Sequence, residues 1–359
     1  MGIWREFGIF ALQNQSIMLY FNSDYMEGAH PLILKRLHDI NFDKNVGYGL
    51  DPYCESARKK IREACQAPDA EVHFLVGGTQ TNMLVIDAMC RFNDGVIAAN
   101  TGHINVHESG AIESCGHKVM AVDEVDGKIN IPALEQYLVA FYKETSEVGI
   151  EHYVMPRAIY ISTPTELGTI YSLAELEQLR AICDTYGLYL YIDGARMGYG
   201  LAADTDVSLP DIARLADAFY IGGTKVGALF GEAVVITNPD ITFTRGLIKH
   251  RGAMVAKGWL LGVQFDTLFT DDLYLRISRN AVVQAMKIKQ ALENKGYKAF
   301  VDSPTNQQFY VVDNATLERL QQHVNYSYIS PADDGHSLVR FCTSWATTDE
   351  QVEALLALL

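Results

Sequence analysis

Apolar and polar positions alternate in blocks along most of this chain, and the block lengths predict its elements. Short runs that are apolar nearly throughout read as strands closing on glycine or polar residues: "EVHFLVGG" (71–78), "GVIAAN" (95–100), "KVMAVD" (118–123), "RAIYIST" (157–163), "LYLYID" (188–193) and "AFYIGG" (218–223). Between them stand "TQTNMLVIDAMCRF" (79–92), "NVHESGAIESCG" (105–116) and "SLAELEQLRAICDTYG" (172–187), which read as helices that bury one face. Ser172, with Glu175 three residues on, has the form of a capping box. Strands this apolar, alternating with helices, predict an α/β fold with a mostly parallel sheet covered on both faces.

After about residue 245 the pattern changes. "RGLIKHRGAMVAKGWLLGVQFDTLF" (245–269) and "LYLRISRNAVVQAMKIKQALENKG" (273–296) predict long helices. Short strands follow at "KAFVD", "QQFYVVD" and "LVRFCTSW", set around Pro304 and a "SPADDG" turn (330–335), with "TDEQVEALLALL" as a closing helix. The expected organisation is an N-terminal extension (1–20), a large domain (21–245, with an arm over 21–45), and a linking helix with a small α+β domain (246–359).

Ligands of open α/β sheets bind beyond the carboxyl ends of the strands. Thr79, His103, Asp193 and Lys225 stand at such ends. The glycine pair of "LVGGTQTN" (75–82) leaves backbone N–H groups at a helix N-terminus beside the Thr79 hydroxyl, which suits a phosphate, or is a plain tight turn. It has neither the ending of a nucleoside-triphosphate loop nor the dinucleotide fingerprint. Asp193 closes an apolar strand, so its carboxylate requires a cation or donors; Arg196 is one such partner. Lys225 stands between glycines that offer its stem no apolar surface but let a bulky group approach the backbone. A desolvated lysine is a nucleophile near neutral pH. In this order, a phosphate turn, a strand-end aspartate and a strand-end lysine match what pyridoxal phosphate requires: an N-terminus for its phosphate, a carboxylate for its pyridine nitrogen and an amine for its aldehyde.

Composition narrows the partners. A net charge of −15 over 359 residues argues against nucleic acid or an anionic membrane, both of which reward clustered Lys and Arg. Six scattered cysteines without a C-x-x-C pair suit a reducing compartment and offer neither a disulfide framework nor a zinc site. The first twenty residues do not read as a signal peptide, and no long uncharged apolar run occurs, so the cytoplasm is the expected location.

The chain resembles the low-specificity L-threonine aldolases, within the aromatic amino acid β-eliminating lyase and threonine aldolase family. The resemblance rests on "NSDY" (22–25), "VGYGLDP" (46–52), "GGTQTN" (77–82), "GHINVHESGAIE" (102–113), "YIDGAR" (191–196), "GGTKVGALFG" (222–231) and "VRFCTSW" (339–345). It implies the aspartate-aminotransferase-like (type I) fold, whose large domain carries a mostly parallel seven-stranded sheet. It also implies cleavage of L-threonine or L-allo-threonine to glycine and an aldehyde, and a homodimer or homotetramer with sites at the subunit interface. By position it implies Lys225 as the amine on the cofactor aldehyde, Asp193 on the pyridine nitrogen and Gly78 and Thr79 on the phosphate. His103 would stack on the ring and Arg196 would stand near the phenolic oxygen and the substrate carboxylate. Ser23 and Arg340 would be further carboxylate ligands, and Tyr48 would act in the neighbouring subunit's site. Three features depart from the family. Gly77 replaces a serine, Thr224 replaces the serine before the lysine, and "TPTELG" (163–168) stands where the family has a histidine. The acid–base group is therefore open among His103, His107, Glu108 and a water held by Thr165 or Glu166. An arginine of the family's glycine-rich segment is also absent from "RGAMVAKG", which leaves Arg251 or Lys257 to supply its charge. The competing readings are β-elimination from an aromatic or sulfur amino acid, and a cofactor-binding protein without catalysis.

Overall fold

The computed structural model describes residues 18–359, so most of the expected N-terminal extension lies outside the described residues. Seven strands form the large sheet: β1 (Glu71–Leu75), β2 (Asp94–Ala99), β3 (Lys118–Val122), β4 (Met155–Ser162), β5 (Tyr189–Asp193), β6 (Ala218–Gly222) and β7 (Glu232–Ile236). Their spatial order is β1-β7-β6-β5-β4-β2-β3, and only β7 runs antiparallel to its neighbours. The strand alternation explains the apolar runs. Ile97, Ile159, Ile161, Leu190, Ile192, Phe219 and Ile221 point into one core, while Val96, Ala98, Ala158, Tyr160, Tyr191 and Tyr220 point into another. Helix α1 (Gly78–Met89) covers the second face, and α2 (Leu173–Tyr186), capped by the Ser172–Glu175 box, covers the first.

The small sheet has the order β8-β9-β11-β10, from β8 (Lys298–Ala299), β9 (Gln307–Asp313), β10 (Ser327–Asp333) and β11 (His336–Cys342). Its core packs against α3 (Leu273–Asn294) and α4 (Asp349–Leu358) through Ile288, Leu292, Val352 and Leu355. Residues Leu19–Tyr20 pair in parallel with Val324–Asn325, which ties the start of the described chain to this end of the molecule. No described helix is long and apolar enough to cross a membrane.

Several expected elements differ. The segment 105–116 is not one helix: a short turn at His103–Val106 stops where Ser109 and Gly110 take positive φ, and a 3-10 turn at Glu113–Cys115 follows. The segment 245–269 is likewise two helices, Arg245–His250 and Trp259–Leu268, with Gly252 at φ 71 in the break. "SPADDG" is mostly strand; β10 is an edge strand, the place in a sheet that tolerates Pro331, and only Asp334 and Gly335 make the turn.

Candidate active site

The carboxyl ends of β1, β6, β5, β4 and β2 open onto one cleft of about 200 Å³. Gly78, Thr79, His103, Asp193, Arg196 and Lys225 all line it.

Free backbone donors suited to a phosphate-sized anion stand at the end of β1. Gly77 and Gly78 begin α1 without a side-chain cap, and the amides of Gly78, Thr79 and Gln80 have no acceptor among the described residues. A Cβ at Gly77 would meet open space, while one at Gly78 would come 3.1 Å from the Tyr220 hydroxyl.

Asp193, at the end of β5, is buried and bound on both oxygens. Tyr220 donates to Oδ1 at 2.5 Å and the Ala195 amide at 3.0 Å; Tyr160 donates to Oδ2 at 2.7 Å and Asn82 at 3.1 Å. Arg196 is not its partner. The guanidinium instead holds Asp24 with two bonds, Nε–Oδ2 at 2.6 Å and Nη2–Oδ1 at 3.0 Å, and Asn306 adds a third donor at 2.9 Å. Burial opposes the Asp24 charge, but the Arg196 and Lys225 charges and these bonds outweigh it and bring the carboxyl to about 2. Asp24 thus links the arm, the large domain and the small domain.

Lys225 follows β6. Its ammonium makes no ion pair or hydrogen bond among the described residues, and burial and the nearby Arg196 charge lower its pKa against the pull of Asp24, Asp193 and Glu232. The adjacent glycines serve a different purpose from the one expected. A Cβ at Gly222 would fall 2.3 Å from the Ala195 carbonyl oxygen, and one at Gly223 would fall 2.7 Å from that of Gly231. They permit close backbone packing under the lysine; the open space is at Gly77.

Sequence reasoning missed Glu232. It is buried at the start of β7, on the cleft wall, accepting from the Thr224 hydroxyl at 2.8 Å and the Gly223 amide at 3.1 Å. Burial raises its pKa to about 8, against the Thr224 bond and the Lys225 charge. "EAVVI" carries the apolar signal of a strand, but nothing local places its glutamate beside Lys225. The Thr224 hydroxyl is thereby committed to Glu232.

His103 Nδ1 contacts Glu108 Oε1 at 2.8 Å, and its backbone amide donates to Glu166 Oε1 at 2.9 Å. Burial opposes a charge on its ring, but the Glu108 bond and the Asp193 and Glu108 charges prevail and raise its pKa. Among the other acid–base candidates, His107 is exposed and off the cleft wall. Glu108 is buried under His103 and Asn82. The Thr165 hydroxyl is paired with Thr169 at 2.6 Å.

Ser23, Arg340 and Tyr48 lie outside the cleft wall. Arg340, on β11, bonds Gln307 at 2.8 Å, the Asn22 carbonyl at 2.9 Å and Ser327 at 3.1 Å, and has no carboxylate partner among the described residues. Tyr48 is exposed at φ 61 beneath the Lys249 ammonium, 5.0 Å from its ring centroid. Arg251 is tied to Asp87 in the far half of α1 at 2.7 Å, and Lys257 is exposed; neither reaches the phosphate turn in this chain. Among the described residues no cluster of His, Cys, Asp and Glu is arranged for a metal.

The beta-eliminating lyase family model matches residues 21–323. The chain is 28% identical over 341 residues to a low specificity L-threonine aldolase of Pseudomonas aeruginosa, covering 93% of this chain and 95% of that one. A solved threonine aldolase of Leishmania major is 41% identical with a TM-score of 0.90, covering 94% of this chain and 98% of that chain. An aspartate aminotransferase of Thermus thermophilus, 14% identical with a TM-score of 0.70 over 96% of this chain and 91% of that chain, shares the fold.

Proposed function

Since the chain belongs to the beta-eliminating lyase family, we propose that it is a pyridoxal-phosphate-dependent aldehyde-lyase that cleaves threonine or allo-threonine to glycine and acetaldehyde. The observation that carries this reading is the single cleft uniting the unpaired Lys225 amine, the buried Asp193 carboxylate and the open amides of α1. These residues fit the cofactor. Gly78 and Thr79 would hold its phosphate, Asp193 its pyridine nitrogen and Lys225 its aldehyde carbon. When bound, pyridoxal phosphate supplies an electron sink for the bond broken at the amino acid's Cα.

The chain's own residues supply orientation and proton control. The Asp193 carboxylate, fixed by two tyrosines, Asn82 and an amide, would keep a proton on the pyridine nitrogen of a bound cofactor. Arg196, held by Asp24 through Nε and Nη2, has Nη1 left to present to the substrate carboxylate, whereas Arg340 stands outside the cleft wall on Gln307, Asn22 and Ser327. Fixing the carboxylate sets which Cα bond breaks, an orientation effect. The family resemblance carries the further proposal of a dimer in which Tyr48, outside its own chain's cleft, would serve the neighbouring site. The cytoplasm remains the proposed location.

The test is product analysis with L-threonine, L-allo-threonine and their D forms, together with cysteine and tryptophan. Glycine with acetaldehyde is the expected result; ammonia with a keto acid would establish β-elimination instead. Lys225→Ala should abolish both the visible absorbance of the loaded protein and glycine release. Retention of both by the variant would refute the assignment.

A further inference from the structure

The reaction proposed above needs a group to take the proton of the substrate's β-hydroxyl, and the cleft wall leaves few free atoms for it. Both oxygens of Asp193 are engaged, as are both of Glu232. Glu108 Oε1 is shared by Asn82 and His103, and its Oε2 is sealed from solvent. Apart from the Lys225 amine, which the reading above assigns to the cofactor's aldehyde carbon, two acid–base atoms remain, His103 Nε2 and Glu166 Oε2.

Glu166 is built as a fixed acceptor. The Ser162 hydroxyl donates to its Oε1 at 2.7 Å and the His103 amide at 2.9 Å, which holds the carboxylate in one orientation. Its Oε2 has no partner among the described residues and is not sealed from solvent as Glu108 Oε2 is. The side chain follows β4, the neighbour of β5, and Ser162 stands opposite Asp193 in the ladder. Across the sheet the order of strand ends is glycine turn, Lys225, Asp193, Glu166, His103, so Lys225 and Asp193 stand between Glu166 and the glycine turn.

We propose that Glu166 Oε2 is the general base that accepts the β-hydroxyl proton. In the cleavage direction the O–H bond breaks with its proton passing to Glu166, the oxygen's electron pair closes the aldehyde C=O, and the Cα–Cβ bond breaks. Its electron pair stays with the glycine half, which is later protonated at Cα. No oxidant or reductant is needed. The choice over His103 rests on charge. Glu108 and Asp193 favour the protonated imidazole, whose Nε2 is a donor, whereas burial raises the Glu166 pKa and so makes its carboxylate a stronger base than an exposed one.

The inference rests on the aldolase reading, and its test separates the two. Wild-type holoenzyme, Glu166→Gln and Glu166→Asp are assayed for acetaldehyde release from threonine and for exchange of glycine's α-hydrogen in D2O. Glycine has no β-hydroxyl, so its exchange does not need this base. Glu166→Gln should lose cleavage by about 100-fold or more, keep glycine exchange within about threefold, and leave Glu166→Asp intermediate in cleavage. Cleavage by Glu166→Gln within about threefold of wild type overturns the assignment, as does an equal loss of cleavage and exchange, which would mark a structural role. Failure of the wild type to cleave any β-hydroxy amino acid would overturn the aldolase reading itself, and the base with it.

Discussion

Replacing Asp24 by asparagine tests the ion pair that fixes Arg196. Asp24 is fully buried, the Arg196 side chain is 14% exposed, and the pair is bidentate with a further bond from Asn306. The carboxyl is held at about 2 against an ordinary 3.8, and at ~1.4 kcal/mol per unit its ionisation contributes about 2 kcal/mol to the fold. A depressed carboxyl contributes this fully above the unfolded value and loses it as pH falls through about 2. At neutral pH the whole term is therefore present. The amide introduced by Asp24→Asn would also turn N–H donors toward a guanidinium that has only donors, and breaking a buried pair costs about 3–5 kcal/mol. The expected loss is thus about 2–5 kcal/mol. The assay is urea unfolding of cofactor-free wild type, Asp24→Asn, Arg196→Gln and the double variant near neutral pH. A coupling energy of about 1 kcal/mol or more should appear in the cycle. Additive changes, or an Asp24→Asn protein within about 0.5 kcal/mol of wild type, would refute the reasoning.

Two further predictions concern the region around Lys225. Gly222→Ala would drive a Cβ to 2.3 Å from the Ala195 carbonyl oxygen, backbone that cannot yield cheaply, so stability should fall by about 1–3 kcal/mol or more in thermal unfolding. Burial holds the Glu232 proton up to about 8 in the fold, whereas the unfolded chain releases it near 4.5. Stability is therefore full below about 4.5 and falls progressively as pH rises towards about 8, because the unfolded chain ionises this carboxyl while the fold keeps it protonated. Cofactor-free Glu232→Gln should gain stability relative to wild type over that interval, read as the difference in urea midpoints; a difference that is flat with pH would contradict the assignment.

Much of the large domain was legible because its signals are local. A strand buried on both faces needs apolar residues throughout, and Ser172 with Glu175 marks a helix start wherever it occurs. The expected helices at 105–116 and 245–269 failed because amphipathic spacing counts side chains and does not weigh single backbone breaks. Gly110 and Gly252 adopt positive φ there and turn the chain. Strand β7 went unread in spite of its apolar run, and with it the only antiparallel member of the sheet.

By itself the sequence determined that Lys225, Asp193 and Thr79 stand at strand ends. That order is a property of chain connectivity, and a parallel sheet converts it into one edge. Only the tertiary structure decided which charges meet there. Arg196 turned from the aspartate three residues before it to Asp24, separated by 172 positions in the chain. Glu232 came beside Lys225 because β7 folds back antiparallel on β6, and Glu166 was left with one free oxygen because Ser162 and the His103 amide took the other. Ion pairs and proton affinities are set by distance and burial, which residue spacing along a chain does not encode.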